Sequence, residues 1–235
     1  MNENIVKHIK EHLFSVAENT PKTKAVFYKT GKGDYAEHDS FIGVPVPDLR
    51  KVAKQHRELS LQYLQILLHS KTNEERLLAL LILTDQYANN KNEIYQFYMA
   101  NLSQVNNWNL VDASAHLIIG NHLLDRDKEI LFRLARSSDL WERRIAIVAT
   151  WHFIKNNQHE TTLKVAEIFL GDDHDLIHKA SGWMLREVGK KDIDILRNFL
   201  NRFVLKMPRT MLRYAIEKFQ EAERKHYLQV PRGLF

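Results

Sequence analysis

The stretch DHDLIHKASGWMLREVG, residues 173–189, shows the pattern that decides the fold. It begins with polar residues that favour a helix start, continues with apolar residues at helical spacing, and ends at Gly189. A glycine at that position is typical of a left-handed residue that terminates a helix. The stretch therefore predicts one amphipathic helix, with Lys179 in its first half and Trp183 one turn later.

Similar helices, each beginning at a polar or small residue, are predicted on both sides of this stretch. An irregular segment, residues 29–47, interrupts the series, and Gly171 marks a helix end as Gly189 does. The other predicted helices are the N-terminal one with its stripe of Ile5, Ile9, Leu13 and Val16, one after Pro21, one starting at Pro47, and those over 61–68, 74–87, 92–101, 108–124, 128–136, 139–154, 161–170, 192–203, 209–219 and up to 228.

Every second helix carries a charged residue at an equivalent position: Arg76, Asp112, Arg144 and Lys179 recur at intervals in the low to mid thirties. Such a period is typical of helical repeat arrays, in which equivalent side chains stack in a row on the concave face. We therefore predict an all-α fold, a right-handed superhelical solenoid of HEAT-like helix pairs; the alternative is an irregular helix bundle. We expect one domain over 1–235, with N-terminal helices in 1–58, repeats in 59–228 and a tail in 229–235.

Composition restricts the kinds of site and partner. The 235 residues include no cysteine, which excludes disulfides, thiolate metal sites and cysteine nucleophiles. The net charge of +5 and the pI of about 9.2 favour a polyanionic partner. The first residues do not look like a secretory signal, and no apolar run approaches a membrane span. We expect a bacterial cytoplasmic, nucleoid-associated protein that is not membrane-bound and acts as a monomer.

Three pairs of residues with a spacing of four carry the candidate chemistry, because residues four apart share one helix face. The pairs are Trp108 with Asp112, Lys179 with Trp183, and Arg209 with Arg213. In a solenoid these groups would meet on one basic surface with the carboxylate among them. The structural alternative is that the tryptophans belong to the core and that Asp112 forms a ladder with Arg144.

Two histidines, His174 and His178, also have a spacing of four, which resembles part of a zinc-binding motif. Their place at a helix start fits capping equally well. No third ligand is evident from the sequence, and we predict neither a metal site nor a cofactor.

Several sequence blocks, in order along nearly the whole chain, resemble the bacterial DNA alkylation repair enzymes, the HEAT-like-repeat alkylpurine DNA glycosylases. The blocks are FIGV (41–44), NWNLVD (107–112), LWERRIA (140–146), HKASGWMLRE (178–187) and MPRTMLRYA (207–215). The resemblance implies an enzyme that hydrolyses the N-glycosidic bond of N3- or N7-alkylated purines in duplex DNA, as a step of base excision repair.

The resemblance also implies roles for individual residues. Asp112 corresponds to the catalytic aspartate, Trp108 and Trp183 to the two tryptophans that face the lesion, and Arg144 to the arginine beside them. We expect the cations Lys179, Arg209 and Arg213 to hold DNA phosphates. No lysine stands beside Asp112 as a Schiff-base nucleophile, so a monofunctional glycosylase is favoured.

The chain departs from the family pattern beside the predicted catalytic residue. Asn107 and Asn109 stand where some members have an aromatic residue and an acid, which lowers the negative charge beside Asp112 and bears on the rate of the reaction, not on the identity of the site. The superfamily also contains members that bind unusual DNA and cut no base. A non-catalytic module for branched or distorted DNA is therefore one alternative, and a protein-binding scaffold is another.

Overall fold

The structure is a computed structural model that describes residues 2–19, 28–231 and 233. Within these residues the chain is helical without a strand, and one isolated parallel bridge joins Ser40 to Thr72. The predicted all-α class is confirmed. The chain divides into two compact units, Met1–Ser114 and Ala115–Phe235, here unit 1 and unit 2. The single-domain assignment stays a prediction.

Unit 1 is built around one helix that is buried on nearly all sides, which is typical of a central core helix. This helix, α4, has eleven consecutive buried residues, and α2 and α3 pack against it. The helices of unit 1 are α1 (Asn2–Glu18), α2 (Val46–Gln55), α3 (Leu61–Leu68), α4 (Asn73–Gln86), α5 (Lys91–Ala100) and α6 (Trp108–Ala115), the last of which ends one residue into unit 2.

Unit 2, as far as the structure describes it (115–231 and 233), continues with a π-helical turn, His116–Gly120, and nine α-helices. Helix α8 packs on α9, and α12 contacts α9, α13 and α14. Asp139 and Asp192 cap two of the helix starts with their carboxylates. The helices are α7 (Asn121–Leu123), α8 (Glu129–Ala135), α9 (Leu140–Ala149), α10 (Trp151–Lys155), α11 (Glu160–Ile168), α12 (Asp175–Lys191), α13 (Ile193–Phe203), α14 (Arg209–Ala215) and α15 (Glu221–Gln229).

Two predicted helices are interrupted in the structure. The helix predicted over 108–124 contains the π-helical turn, which widens one turn of the helix. The helix predicted over 139–154 ends at Ala149, and α10 begins two residues later. There the hydroxyl of the buried Thr150 donates to the Ile147 carbonyl at 2.7 Å, so the side chain competes with the helical hydrogen bonds.

The two glycines predicted to end helices do not have the expected conformation, because neither has a positive φ. Gly171 closes a short 3₁₀ turn, and Gly189 lies inside α12, which continues to Lys191. Gly189 instead lies close to a side chain of the next helix: an added Cβ would lie 2.4 Å from Leu196 Cδ2, which would have to move. The predicted helix end at this residue is therefore wrong, since α12 continues two residues beyond it and Leu196 of α13 packs against it.

The predicted irregular segment is observed between Tyr28 and Pro45. Its backbone is tied to the start of α4, since the Ser40 amide donates to the Lys71 carbonyl at 3.0 Å and the Asn73 amide donates back to the Ser40 carbonyl at 2.8 Å. The helix predicted after Pro21 falls on residues 20–27, outside the described residues, as do 232, 234 and 235 of the tail. Among the described helices, none has the length and apolar character to cross a membrane.

Candidate functional site

The first predicted pair, Trp108 and Asp112, lies one helical turn apart at the start of α6, and both residues are half-buried. The Trp108 ring stacks on Tyr28, with centroids 5.2 Å apart and planes 16° apart. Tyr28 stacks in turn on Phe41 at 4.3 Å and 25°. These three rings, the aromatic stack, bring the irregular segment onto the helix that carries Asp112.

Tyr28 is a candidate that the sequence analysis missed, because it stands directly before the predicted irregular segment and belongs to no local motif. Burial is the main reason that the pKa of Tyr28 rises to about 12, and the negative charge of Glu74 adds to the effect. Burial also raises the pKa of the Glu74 carboxyl, which accepts hydrogen bonds from the Ile42 and Gly43 amides. Phe41, by contrast, lies in a block that the resemblance had already singled out.

A buried polar network, the Asp39 hub, holds the irregular segment against the starts of α4 and α6. Its members are Asp39, Asn73, Arg76, Asn107 and Asn109. Asp39 and Arg76 form an ion pair at 2.5 Å with side chains only 4% and 5% exposed. The other carboxylate oxygen of Asp39 accepts from the amide groups of Asn73 at 2.9 Å and Asn107 at 2.7 Å. Asn107, the residue just before Trp108, is therefore held by the carboxylate of Asp39, which lies far away in the sequence.

The hub gives a structural role to the two asparagines that depart from the family pattern. Asn107 is fully buried, and Asn109 donates to the Asn73 side-chain oxygen at 2.6 Å. Both amides thus fix the beginning of α6. The hub also corrects one expectation: Arg76, placed by the repeat pattern in the concave row, is buried and neutralised by Asp39.

In unit 2, Trp183 lies half-buried on α12, one turn after Lys179. Its ring meets the Trp151 ring at 5.0 Å and 63°, an edge-to-face contact. Trp151 also contacts the His116 ring at 4.6 Å, and the Lys155 ammonium lies 4.0 Å from its centroid. We call Trp183, Trp151, His116 and Lys155 the Trp151 cluster; the sequence analysis had singled out Trp183 alone.

Two predicted site cations, Arg144 and Lys179, differ in their burial and in their contacts within the protein. Arg144 is buried, and its Nη1 donates to the Leu176 carbonyl in the first turn of α12 at 2.7 Å. Lys179 is more accessible, with a side chain 42% exposed and 2.7 Å from the Asp175 carboxylate. The hydrogen bond from Lys179 is the main cause that lowers the pKa of Asp175. The substrate-contacting role of Arg144 and the phosphate-binding role of Lys179 stay predictions.

The two arginines of α14 are also unequal. Arg209 donates to the Leu228 and Val230 carbonyls at 2.5 and 3.0 Å, which ties α14 to the end of α15. Arg213 is exposed on the same helix. Of this pair, Arg213 offers the better candidate for a phosphate contact.

The two histidines at the start of α12 take part in capping. The Nδ1 of His174 accepts from the Leu176 amide at 3.2 Å, and the His178 ring bonds to the Asp172 carbonyl at 2.5 Å. Within the part of the chain that the structure describes, no group of three or more histidine or acidic side chains is arranged to hold a metal ion.

Comparisons with solved structures show the fold. A predicted DNA alkylation repair enzyme from Enterococcus faecalis superposes with a TM-score of 0.68 at 17% identity, over 80% of this chain and 92% of that one. AlkD2 from Streptococcus mutans gives 0.57 at 17%, over 91% and 99%. The protein smu.31 from Streptococcus mutans UA159 gives 0.55 at 19%, over 75% and 93%. The likeness confirms the predicted helical-repeat solenoid class.

The family is shown by sequence. No curated protein matches the chain, but the family model described as DNA alkylation repair enzyme matches residues 9–219. The matched range contains every residue predicted for the site. The chain therefore belongs to the DNA alkylation repair enzyme family, which implies a role in the repair of alkylated DNA with DNA as the partner.

Proposed function

We propose that this protein is a monofunctional DNA glycosylase that removes N3- or N7-alkylated purines from duplex DNA. The observation that carries the proposal is the placement of Asp112 one turn from Trp108, on a helix start that the Asp39 hub fixes, in a member of a DNA alkylation repair family. The proposal gives the carboxylate the central chemical role.

Alkylation at N3 or N7 places a positive charge on the purine, which makes the base a good leaving group. As the bond from the base nitrogen to C1′ breaks, positive charge develops on the deoxyribose, as in other glycosidic cleavages. The Asp112 carboxylate would stabilise that charge and take a proton from the water that attacks C1′. The base leaves with the electron pair of the broken bond and becomes neutral.

The tryptophans suit a cationic substrate, because an indole face attracts a cation by about 0.5–2 kcal/mol. Tyr28 covers one face of Trp108, so the proposal assigns the substrate contact to the opposite face of that ring. We assign the same kind of contact to Trp183 in unit 2. Arg144 is assigned to the lesion by the resemblance alone.

Phosphate contacts would come from Lys179 and Arg213, with Arg209 holding the end of α15 as well. Such contacts supply affinity without reading sequence, which suits a protein that searches for lesions. The net charge of +5 is consistent with this kind of binding. We further propose that one copy of the chain suffices, with no metal and no cofactor.

The test is incubation of the purified protein with duplex DNA that contains N7-methylguanine or N3-methyladenine, followed by chromatography of released bases and by alkaline cleavage of abasic sites. We expect free methylated purine and strand breaks only after alkali. Breaks without alkali would contradict the monofunctional assignment. Absence of released base, with tighter binding to junctions than to methylated duplex, would select the non-catalytic alternative.

A further inference from the structure

Trp183 needs a second group to fix its ring, because a half-buried tryptophan on a helix surface has several rotamers available. The group in the structure is Trp151, whose ring meets Trp183 edge-to-face at 5.0 Å and 63°. Aromatic pairs favour this geometry because the positive edge of one ring meets the negative face of the other. The ring plane that Trp183 offers to a ligand therefore depends on Trp151.

Trp151 is itself held in place by two further residues. His116 contacts its ring at 4.6 Å and 44°, and Lys155, one turn along α10, places its ammonium 4.0 Å from the ring centroid. A cation over an indole face is a favourable contact. These contacts restrict the movement of the Trp151 ring on its own helix.

The backbone behind His116 is equally constrained. His116 opens the π-helical turn, and Gly120 closes it against the end of α9. A Cβ on Gly120 would lie 2.2 Å from the Ala149 carbonyl oxygen and 2.8 Å from the Cβ of His152. The turn that carries His116 is thus packed closely on this end of α9. π-helical turns occur frequently at functional sites, which agrees with a role for this one.

We infer that Trp151 is a positioning residue for base excision: it orients the Trp183 indole toward the alkylated nucleotide without touching substrate itself. The inference rests on the proposed glycosylase function. Its physical content is that Trp151 acts through Trp183. The energy of one aromatic pair corresponds to an effect of about three- to tenfold on the rate of base release.

The first arm of the test observes Trp183 directly and needs no activity. The full chain contains four tryptophans, so labelling with 5-fluorotryptophan gives four fluorine resonances, and Trp183→Phe identifies the one of interest. We expect Trp151→Leu to shift and broaden that resonance. The control Phe169→Leu, which removes a buried ring elsewhere in unit 2, should leave it in place. An unchanged resonance in Trp151→Leu would overturn the inference.

The second arm measures single-turnover release of methylated purine. We expect Trp151→Leu to lower the rate about three- to tenfold, Trp151→Phe to lower it less, and Phe169→Leu to leave it unchanged. In a Trp183→Phe background, Trp151→Leu should cause no further loss, because its effect passes through the missing indole. Effects that multiply in the double variant would show that Trp151 acts independently, which contradicts the inference.

The two arms separate the possible failures. If the wild-type protein releases no base while Trp151→Leu still moves the Trp183 resonance, the proposed function fails and the structural half of the inference stands. If the wild-type protein releases base but Trp151→Leu leaves the Trp183 resonance unchanged, the inference alone fails. Should Trp151→Leu not fold, as judged by circular dichroism, Trp151→Phe replaces it in both arms, with a smaller expected shift.

Discussion

The aromatic stack of unit 1 and the Trp151 cluster of unit 2 hold a candidate tryptophan by different means. In the stack, ring planes lie within 16° and 25° of each other, and two of the three rings come from an irregular segment held by buried charges. In the cluster, rings meet at 44° and 63°, and every member comes from helical backbone. The comparison shows that one kind of residue can be positioned by long-range polar contacts or by helix packing.

This difference decides which substitutions should affect each region. Unit 1 depends on a buried ion pair, whose disruption leaves an uncompensated charge in the protein interior. Unit 2 depends on steric fit, notably on helices that cross at glycines. We therefore expect unit 1 to be most sensitive to charge removal and unit 2 to added volume.

The largest expected effect on stability is that of Asp39→Asn. It leaves the buried Arg76 guanidinium without its counter-charge, and loss of one partner of a buried pair costs about 3–5 kcal/mol. Urea denaturation of the full chain measures this loss. The control is Asp85→Asn, the same change at an exposed position of α4. Equal free energies of unfolding for the two variants would contradict the claim that unit 1 depends on its buried ion pair.

The next largest effect is expected for Gly182→Ala, at the crossing of α12 and α14. The added Cβ would lie 2.4 Å from the Met211 carbonyl oxygen, so a helix must shift, and such overpacking costs about 1–3 kcal/mol. Thermal unfolding checks this against Gly171→Ala, where the new methyl group meets nothing within 4 Å. If the two variants have the same melting temperature, the expected sensitivity of unit 2 to added volume is wrong.

The pH dependence of the free energy of unfolding tests the burial of Tyr28 in the aromatic stack. Tyr28 has a pKa of about 12 in the folded chain and an ordinary value of 10.0, so above pH 10 the unfolded chain loses this proton first. The contribution of Tyr28 to stability is therefore complete below pH 10 and is lost as the pH rises toward 12. We expect Tyr28→Phe to lose less stability than the wild type between pH 9 and 11, measured by urea denaturation. Parallel losses in the two proteins would place Tyr28 in open solvent.

The smallest effect on stability is expected for Lys179→Gln, because exposed ion pairs such as Lys179 with Asp175 contribute about 0–1 kcal/mol. Binding to duplex DNA should weaken nonetheless. The slope of log affinity against log salt concentration should fall by about 1 if the lysine neutralises one phosphate. An unchanged slope, measured by fluorescence anisotropy, would remove Lys179 from the proposed phosphate contacts.

Helical periodicity predicted most of the fold. Each helix is marked by apolar residues at helical spacing, and the helices that pack together are mostly close in the sequence. The same reasoning placed Trp108 beside Asp112 and Trp183 beside Lys179, since a spacing of four fixes one face. It could not find Tyr28, whose contact with Trp108 joins residues far apart in the sequence through an irregular segment. It also misread Gly189, because a glycine inside a helix, packed against a neighbouring one, has the same sequence signal as one that ends a helix.

The buried hub was hidden for a similar reason. Asp39, Asn73 and Asn107 are polar, and each alone reads as a surface or capping residue. Only the return of the irregular segment to the start of α4 brings them together. Polar contacts between distant segments therefore account for much of what the sequence analysis missed in this chain.

The most direct test of the central claim is Asp112→Asn, assayed for release of N7-methylguanine and for binding to the same duplex. The account predicts a loss of about 10²–10⁴-fold in the rate of release, with DNA affinity nearly unchanged and with Asp85→Asn as active as the wild type. Release by Asp112→Asn at the wild-type rate would contradict the role of this carboxylate and, with it, the proposed mechanism.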